Sequence, residues 1–163
     1  MAVSTEQPEP RSLDDVLGDL RFAMVSTSAP ESDGLARPLT LLEHDAPLLR
    51  FLVSREAEWV EPLLADEHPT LVAFADPGSN TYVSVAGMGR VHRDEVQIER
   101  LWNPAAGVYF DGRDDPAIAV LEVDVVDGEW WDGPSTKVGQ AVDMVRTKLT
   151  GTAPGDQHGA VTA

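Results

Sequence analysis

Few side chains in this 163-residue chain have the types and spacing for acid–base, metal or nucleophilic chemistry. The four histidines, His44, His68, His92 and His158, show neither the i, i+4 pairing of a helical metal site nor a triad spacing with acids, so no metal site is expected. With no cysteine, thiolate catalysis, thiolate metal binding and disulfides are all excluded. Asp114-Asp115 pairs two carboxylates, but the flanking Gly112 and Pro116 make the pair a turn. Gly87-Met88-Gly89 lies inside a strand pattern with no helix after it, which fails the context a dinucleotide-binding loop needs. Neither a Gly-x-Ser-x-Gly elbow nor a Gly-Lys-Ser/Thr phosphate loop occurs. No general acid or base stands out, and the catalytic residues are left unassigned.

Charge narrows the partners. Twenty-eight acids against 12 bases give a formal net charge of -16, which opposes binding to nucleic acid or to an anionic membrane. A phosphate-bearing ligand would need several of the scarce arginines and lysines gathered at one place, so each base near a site counts for more than usual. Residues 1–12 are polar and Pro/Glu-rich, unlike a secretory signal or an anchor. No apolar run approaches the ~20 residues of a spanning helix. The cytosol is the simplest expected location.

The elements that must position any site read as one domain over residues 12–151, with disordered tails over 1–11 and 152–163. Ser12 is an N-cap for a short helix carrying Leu13, Val16, Leu17 and Leu20. Phe22, Met24 and Ser26 alternate as a strand, and residues 28–34 form a turn cluster. Residues 36–43 and 49–53 read as a hairpin joined around His44-Asp45-Ala46-Pro47. Trp59, Val60, Leu63 and Leu64 suggest a helix over 56–65, with Pro62 tolerable only in its first turn. Strands follow over 70–75 and 81–91, the second with Gly87 and Gly89 marking a bulge or close approach. Asp94 caps a helix that stops before Pro104. Strands over 117–126 and 129–132 precede a terminal helix over 135–149. Strands outnumber helices and do not alternate with them, which favours a small antiparallel barrel over a parallel sheet.

Several fragments, in this order and at these intervals, carry a resemblance: Leu20 to Met24; Arg37-Pro38-Leu39; Phe74 to Pro77 leading to Asn80 through Gly87; Leu101 to Pro104; Tyr109 to Gly112; Asp114 to Pro116; and Glu129 through Lys137. Together they resemble the pyridoxamine 5′-phosphate oxidase-like proteins, the FMN-binding split β-barrels, most closely their general stress protein branch. The resemblance covers about residues 16–151. It implies a mainly β split barrel of six or so antiparallel strands, a homodimer with FMN in the grooves between subunits, and an oxidoreductase acting on a small molecule. The isoalloxazine would carry the redox chemistry, so the lack of an acid or base is no obstacle.

What the resemblance implies for the site is specific. Arg37, with Leu39 beside it, matches a phosphate-gripping arginine on the second strand. The family's third-strand pattern, aromatic-Thr-Asp-x-x-Ser-x-Lys, is here Leu52 to Trp59. Val53 takes the hydroxyl position, Ala57 the serine position and Trp59 the lysine position. A slip of one residue would let Ser54 supply the hydroxyl and Arg55 the charge, and Trp59 could instead stack on a flat ligand. Tyr82 and Ser84 match the strand that reaches the flavin edge, and Trp131 and Lys137 the turn that closes over it from the partner subunit. From the residues alone, Trp130 and Trp131 face opposite ways, Lys137 reads equally as a solvated surface lysine, and Arg37 could pair with an acid such as Glu43. The alternatives are a non-enzymatic stress-related dimer with a degenerate flavin site, and the same cleft holding a deazaflavin or haem.

Overall fold

The computed structural model of the chain describes residues 9–30, 32–133 and 157–163. In chain order they form β1 (Arg11–Ser12), α1 (Leu13–Leu17), β2 (Phe22–Thr27), β3 (Arg37–Thr40), β4 (Glu43–Asp45), β5 (Leu48–Ser54), α2 (Glu61–Ala65), β6 (His68–Asp76), β7 (Thr81–His92), α3 (Glu95–Leu101), β8 (Ile118–Asp132) and β9 (Gln157–Thr162). The strands make one sheet ordered β1-β9-β8-β7-β6-β2-β3, with β5 attached to β8 and β4 to β5. The sheet curls without closing, the mainly β split barrel that the sequence leads one to expect.

Strand β8 explains why it stays open. One of its edges pairs with β7 over residues 120–132. The other is shared, by β5 along residues 118–124 and by β9 along 129–132. The exchange happens at a bulge, where the β7 register shifts between Ala86 and Gly87 and Val126 is pushed out to 72% exposure. Only glycine fits at 87, since a Cβ there would collide with the Asp124 carbonyl. The sheet therefore ends at β3 on one side, and across the split the edge of β5 away from β8, paired with β4 over residues 48–50, is unpaired beyond Arg50. Inside it, Val25, Phe51, Val53, Val72, Phe74, Val83, Leu121 and Trp130 build the main core. A second cluster, Ile98, Leu101, Ile118 and Val120, seats α3 on the outside of β5 and β8.

Local chemistry accounts for most element ends. Ser12 accepts the Asp15 N–H at 3.2 Å and starts α1; Asp94 accepts the Val96 and Gln97 N–H groups and starts α3. Asp76 accepts the Gly78 N–H and the Ser79 hydroxyl in the β6–β7 turn, where Asn80 takes the left-handed conformation at φ 57°.

Four sequence expectations give way. The hairpin is β4–β5, while β3 pairs with β2, because Arg37 through Thr40 lie opposite Val25 through Phe22. The helix over 56–65 is a 3₁₀ turn at Glu58–Val60 followed by α2, with Pro62 in the first turn of α2. The expected strands over 117–126 and 129–132 are one strand, β8. The expected C-terminal tail contains β9, and Arg11 of the expected N-terminal tail begins β1, which pairs with it. The small Gly159 makes room for the Trp130 ring in the core. The terminal helix over 135–149 lies outside the described residues.

Under α3 a chain of alternating charges runs Arg90–Glu122–Arg50–Glu43–Arg100. Glu122 accepts from Arg50 Nε and Arg90 at 2.8 Å each, Arg50 also pairs with Glu43, and Arg100 reaches Glu43 at 2.9 Å. Burial works to raise the Glu122 pKa, but the bonds from Arg90 and Arg50 outweigh it and hold the carboxyl below its ordinary value. A pKa depressed on folding means stabilisation that is complete above the unfolded value and fades as pH falls through the folded one. Glu122→Gln leaves buried Arg50 with Glu43 alone and costs about 3 kcal/mol near neutrality. Urea unfolding of the two proteins will converge as pH is lowered below 4.5.

Candidate functional site

Where β3 and β5 fail to pair, a cleft of about 450 Å³ opens between them. One wall is β3 from Pro38 to Thr40, and the opposite wall is Leu52, Val53 and Ser54 of β5. After β5 the chain turns sharply: the Ala57 N–H reaches the Ser54 carbonyl at 3.2 Å, and Ser54 Oγ accepts the Glu56 N–H at 3.3 Å. This turn lays Trp59 along the cleft. A last wall comes from the segment after α3, where Asn103 Oδ1 accepts the Ala105 and Ala106 N–H groups and starts the 3₁₀ turn Ala106–Val108. That turn delivers Tyr109 and Phe110 to the cleft.

No charged side chain among the described residues lines it. Beside it is Arg37, whose guanidinium lies 5.2 Å from the centre of the Trp59 ring. That guanidinium is already engaged, donating to Asp33 Oδ2 at 2.7 Å and to the Leu35 carbonyl at 3.0 Å. The Leu35 N–H, and after it Arg37, hold the Asp33 carboxyl below its usual range, so the pair stays ionised well into acid.

The main chain supplies what polarity the side chains lack. Leu41 donates to the Arg21 carbonyl on the β2 side, so strand alternation turns the Thr40 N–H and C=O the other way, into the split. On β5 the Arg50 carbonyl accepts the Leu42 N–H away from β8, while the Arg55 N–H bonds the Ala117 carbonyl on the β8 side. By the same alternation the Leu52 N–H and C=O face the cleft.

The residues singled out from the sequence separate into groups. Leu39, Val53, Ser54 and Trp59 line the cleft, and Arg37 covers Trp59. Arg55 is exposed and does not line it. Tyr82, Ser84 and Trp131 sit on the outer face of β7 and β8, with Tyr82 directly opposite Trp131. Tyr82 and Ser84 on β7 are three strand spacings from β3, about 14 Å, and Trp131 on β8 is four. Trp130 is buried and Trp131 faces the other way, stacked on His158 with ring centres 6.0 Å apart. Lys137 lies outside the described residues. The acid that engages Arg37 is Asp33 and not Glu43, which belongs to the Arg50 network. Sequence reasoning missed Asp33, Thr40, Leu52 and Tyr109. Only Asp33 left a signal, four residues before Arg37 at the end of a turn.

A profile of the pyridoxamine 5′-phosphate oxidase-like family matches residues 9–155. The chain belongs to that family. Among solved structures it is similar to a general stress protein 26 from Jannaschia sp., with TM-score 0.74, 20% identity and coverage of 91% of this chain and 94% of that one. It is also similar to the general stress FMN/FAD binding protein of Xanthomonas citri, with TM-score 0.64, 27% identity and coverage of 74% and 86%. A heme binding protein from Mycobacterium smegmatis shares the fold at TM-score 0.53 and 22% identity, with 71% of this chain and 50% of that one covered. No curated protein sequence matches the chain. No helix among the described residues is long and apolar enough to cross a membrane.

Within this family member, Arg37 contributes little to stability. Its ion pair is open to water, with Asp33 48% exposed, and such pairs are worth at most about 1 kcal/mol. Arg37→Ala will shift the urea unfolding free energy by less than about 1 kcal/mol.

Proposed function

We propose that the chain is an FMN-binding oxidoreductase that works as a homodimer on a small molecule. The observation that carries this reading is the cleft in the open barrel, an apolar slot with an indole on one wall and main-chain donors and acceptors at its edges. A planar ring system suits such a slot, through stacking on Trp59 and hydrogen bonds to the Thr40 and Leu52 main chain. The FMN/FAD binding relative at 27% identity supports the same ligand. The isoalloxazine supplies the redox chemistry when bound; the chain's part is to bind and orient the ring and keep water from it. The phosphate fits less well, since Val53, Ala57 and Trp59 stand where a hydroxyl, a serine and a lysine would grip it.

Haem is the weaker alternative. His44 is engaged with Asp14 at 2.6 Å, and no histidine lines the cleft to serve as an axial ligand.

The homodimer rests on a second feature. Phe22 is 79% exposed, Leu71 48%, Met24 45% and Tyr82 39%, all on the outer face of the β2–β6–β7 sheet. Pro38 and Thr40 extend that face to the mouth of the cleft, opposite Met24 and Phe22. A contiguous apolar face of this kind is an interaction surface, and a second copy covering it would bring the two groups of predicted site residues toward each other.

Titration with FMN, followed by flavin fluorescence, will give saturable binding, weakened about tenfold or more in Trp59→Ala because a stacked ring is lost. Colourless protein that fails to bind at high-micromolar FMN would instead favour the scaffold alternative. Phe22→Asp will halve the mass seen by light scattering while leaving the circular dichroism spectrum unchanged.

A further inference from the structure

The charge balance of the cleft says which part of a flavin it reads. A dianionic phosphate is held by several charge-assisted hydrogen bonds, and the cleft lining among the described residues offers no cation for them. Arg37, beside the cleft, has one edge occupied by Asp33 and the Leu35 carbonyl and one face occupied by Trp59. Asp33 is itself fixed, because its other oxygen accepts the Leu35 N–H at 3.0 Å. A phosphate approaching Arg37 would meet a carboxylate 2.7 Å from the guanidinium, and the field of a chain carrying -16 charges stands behind it. What the cleft does offer is neutral: the Trp59 face, the Tyr109 and Phe110 rings, and main-chain groups of Thr40 and Leu52 that match the N–H and C=O edge of a cyclic imide or lactam.

We propose that the cleft selects an uncharged planar heterocycle, recognised by its ring and its polar edge, and that Asp33 is the specificity-determining residue that keeps Arg37 from recruiting a phosphate. This rests on the flavin reading above and deepens it: the ring is the ligand, and a phosphoribityl tail is tolerated and not gripped. The ligand class includes riboflavin, its degradation products and other neutral tricyclic or bicyclic lactams.

The test compares lumiflavin (the ring with a methyl in place of the tail), riboflavin and FMN on the full-length protein, by quenching of tryptophan and flavin fluorescence. The three are expected to bind within about threefold of one another, where even one phosphate contact would separate them by tenfold or more. Asp33→Asn, which keeps an acceptor for the Leu35 N–H, is expected to tighten FMN about tenfold and leave lumiflavin unchanged. Raising salt from about 0.05 to 0.5 M needs no variant and should not weaken FMN relative to lumiflavin, since the cleft lining among the described residues gives no phosphate ion pair to screen. A preference for FMN of more than about tenfold in the unmodified protein, removed by Arg37→Ala, overturns the proposal and leaves the flavin reading intact. An Asp33→Asn protein with unchanged FMN affinity overturns the role of Asp33. Failure of all three ligands to bind overturns the flavin reading and this inference with it.

Discussion

The architecture depends on how one edge of β8 is divided. β7 occupies its other edge over residues 120–132, so everything else that pairs with β8 must share what is left. β5 takes the first half and β9 the second, with the bulge at Val126 between them. β4 covers the start of the other edge of β5, so only the stretch from Phe51 to Ser54 is left to meet β3, and it does not pair with it. The cleft is thus the unfilled closure of a barrel, with walls set by strand register. A one-residue slip along β8 would turn Val53 out of the core and bring Leu52 in, and the cleft would lose both its floor and its main-chain polarity.

Once the cleft is there, its chemistry follows from which residues replaced others. Trp59 occupies a position where the family resemblance leads one to expect a lysine, and the exchange does more than delete a charge. An indole beside β3 gives Arg37 a flat partner, and that arrangement puts the guanidinium within reach of Asp33 at the end of the preceding turn. The three side chains then hold one another: the cation lies on the ring, and the carboxylate balances the cation. In so acidic a chain an unpaired arginine would be the most attractive anion site on the surface, and pairing it within four residues cancels that attraction locally.

Much of this could be read from the residues, for physical reasons. Ser12 and Asp94 are side-chain caps whose geometry is complete within three residues, so helix starts were legible. The β6–β7 pair has a turn made of Asp76, Pro77, Gly78 and Ser79, and the strands on both sides alternate regularly. What escaped depended on distant partners. β3 carries the sequence Arg-Pro-Leu-Thr, which has no turn chemistry to say whether β2 or β5 is its neighbour, and the Glu43-His44-Asp45 strand intervenes. β9 has only Val161 as a buried apolar side chain, and it is a strand because β8 needs a neighbour beyond the bulge and Trp130 needs the space Gly159 leaves. In the site, Arg37 and Trp59 were visible as types, but their contact spans 22 positions and was not. Main-chain groups at Thr40 and Leu52 carry no side-chain signal at all.

An open barrel has two free edges, and free edges invite pairing with other chains. Here each edge is blunted by something that also shapes the cleft. β3 has only four residues, and Pro38 removes the N–H that would otherwise point into the split, so a ladder with β5 would lack a bond at its centre. On β5 the turn from Ser54 to Ala57 uses the Ser54 carbonyl, and the Asn103-capped segment brings Tyr109 and Phe110 against the opening. Closure by β3 and extension by a foreign strand are therefore disfavoured by the same residues. The space between the edges persists as a consequence of protecting them, and Thr40 and Leu52 retain main-chain donors and acceptors that a flat, uncharged molecule is the right shape to use.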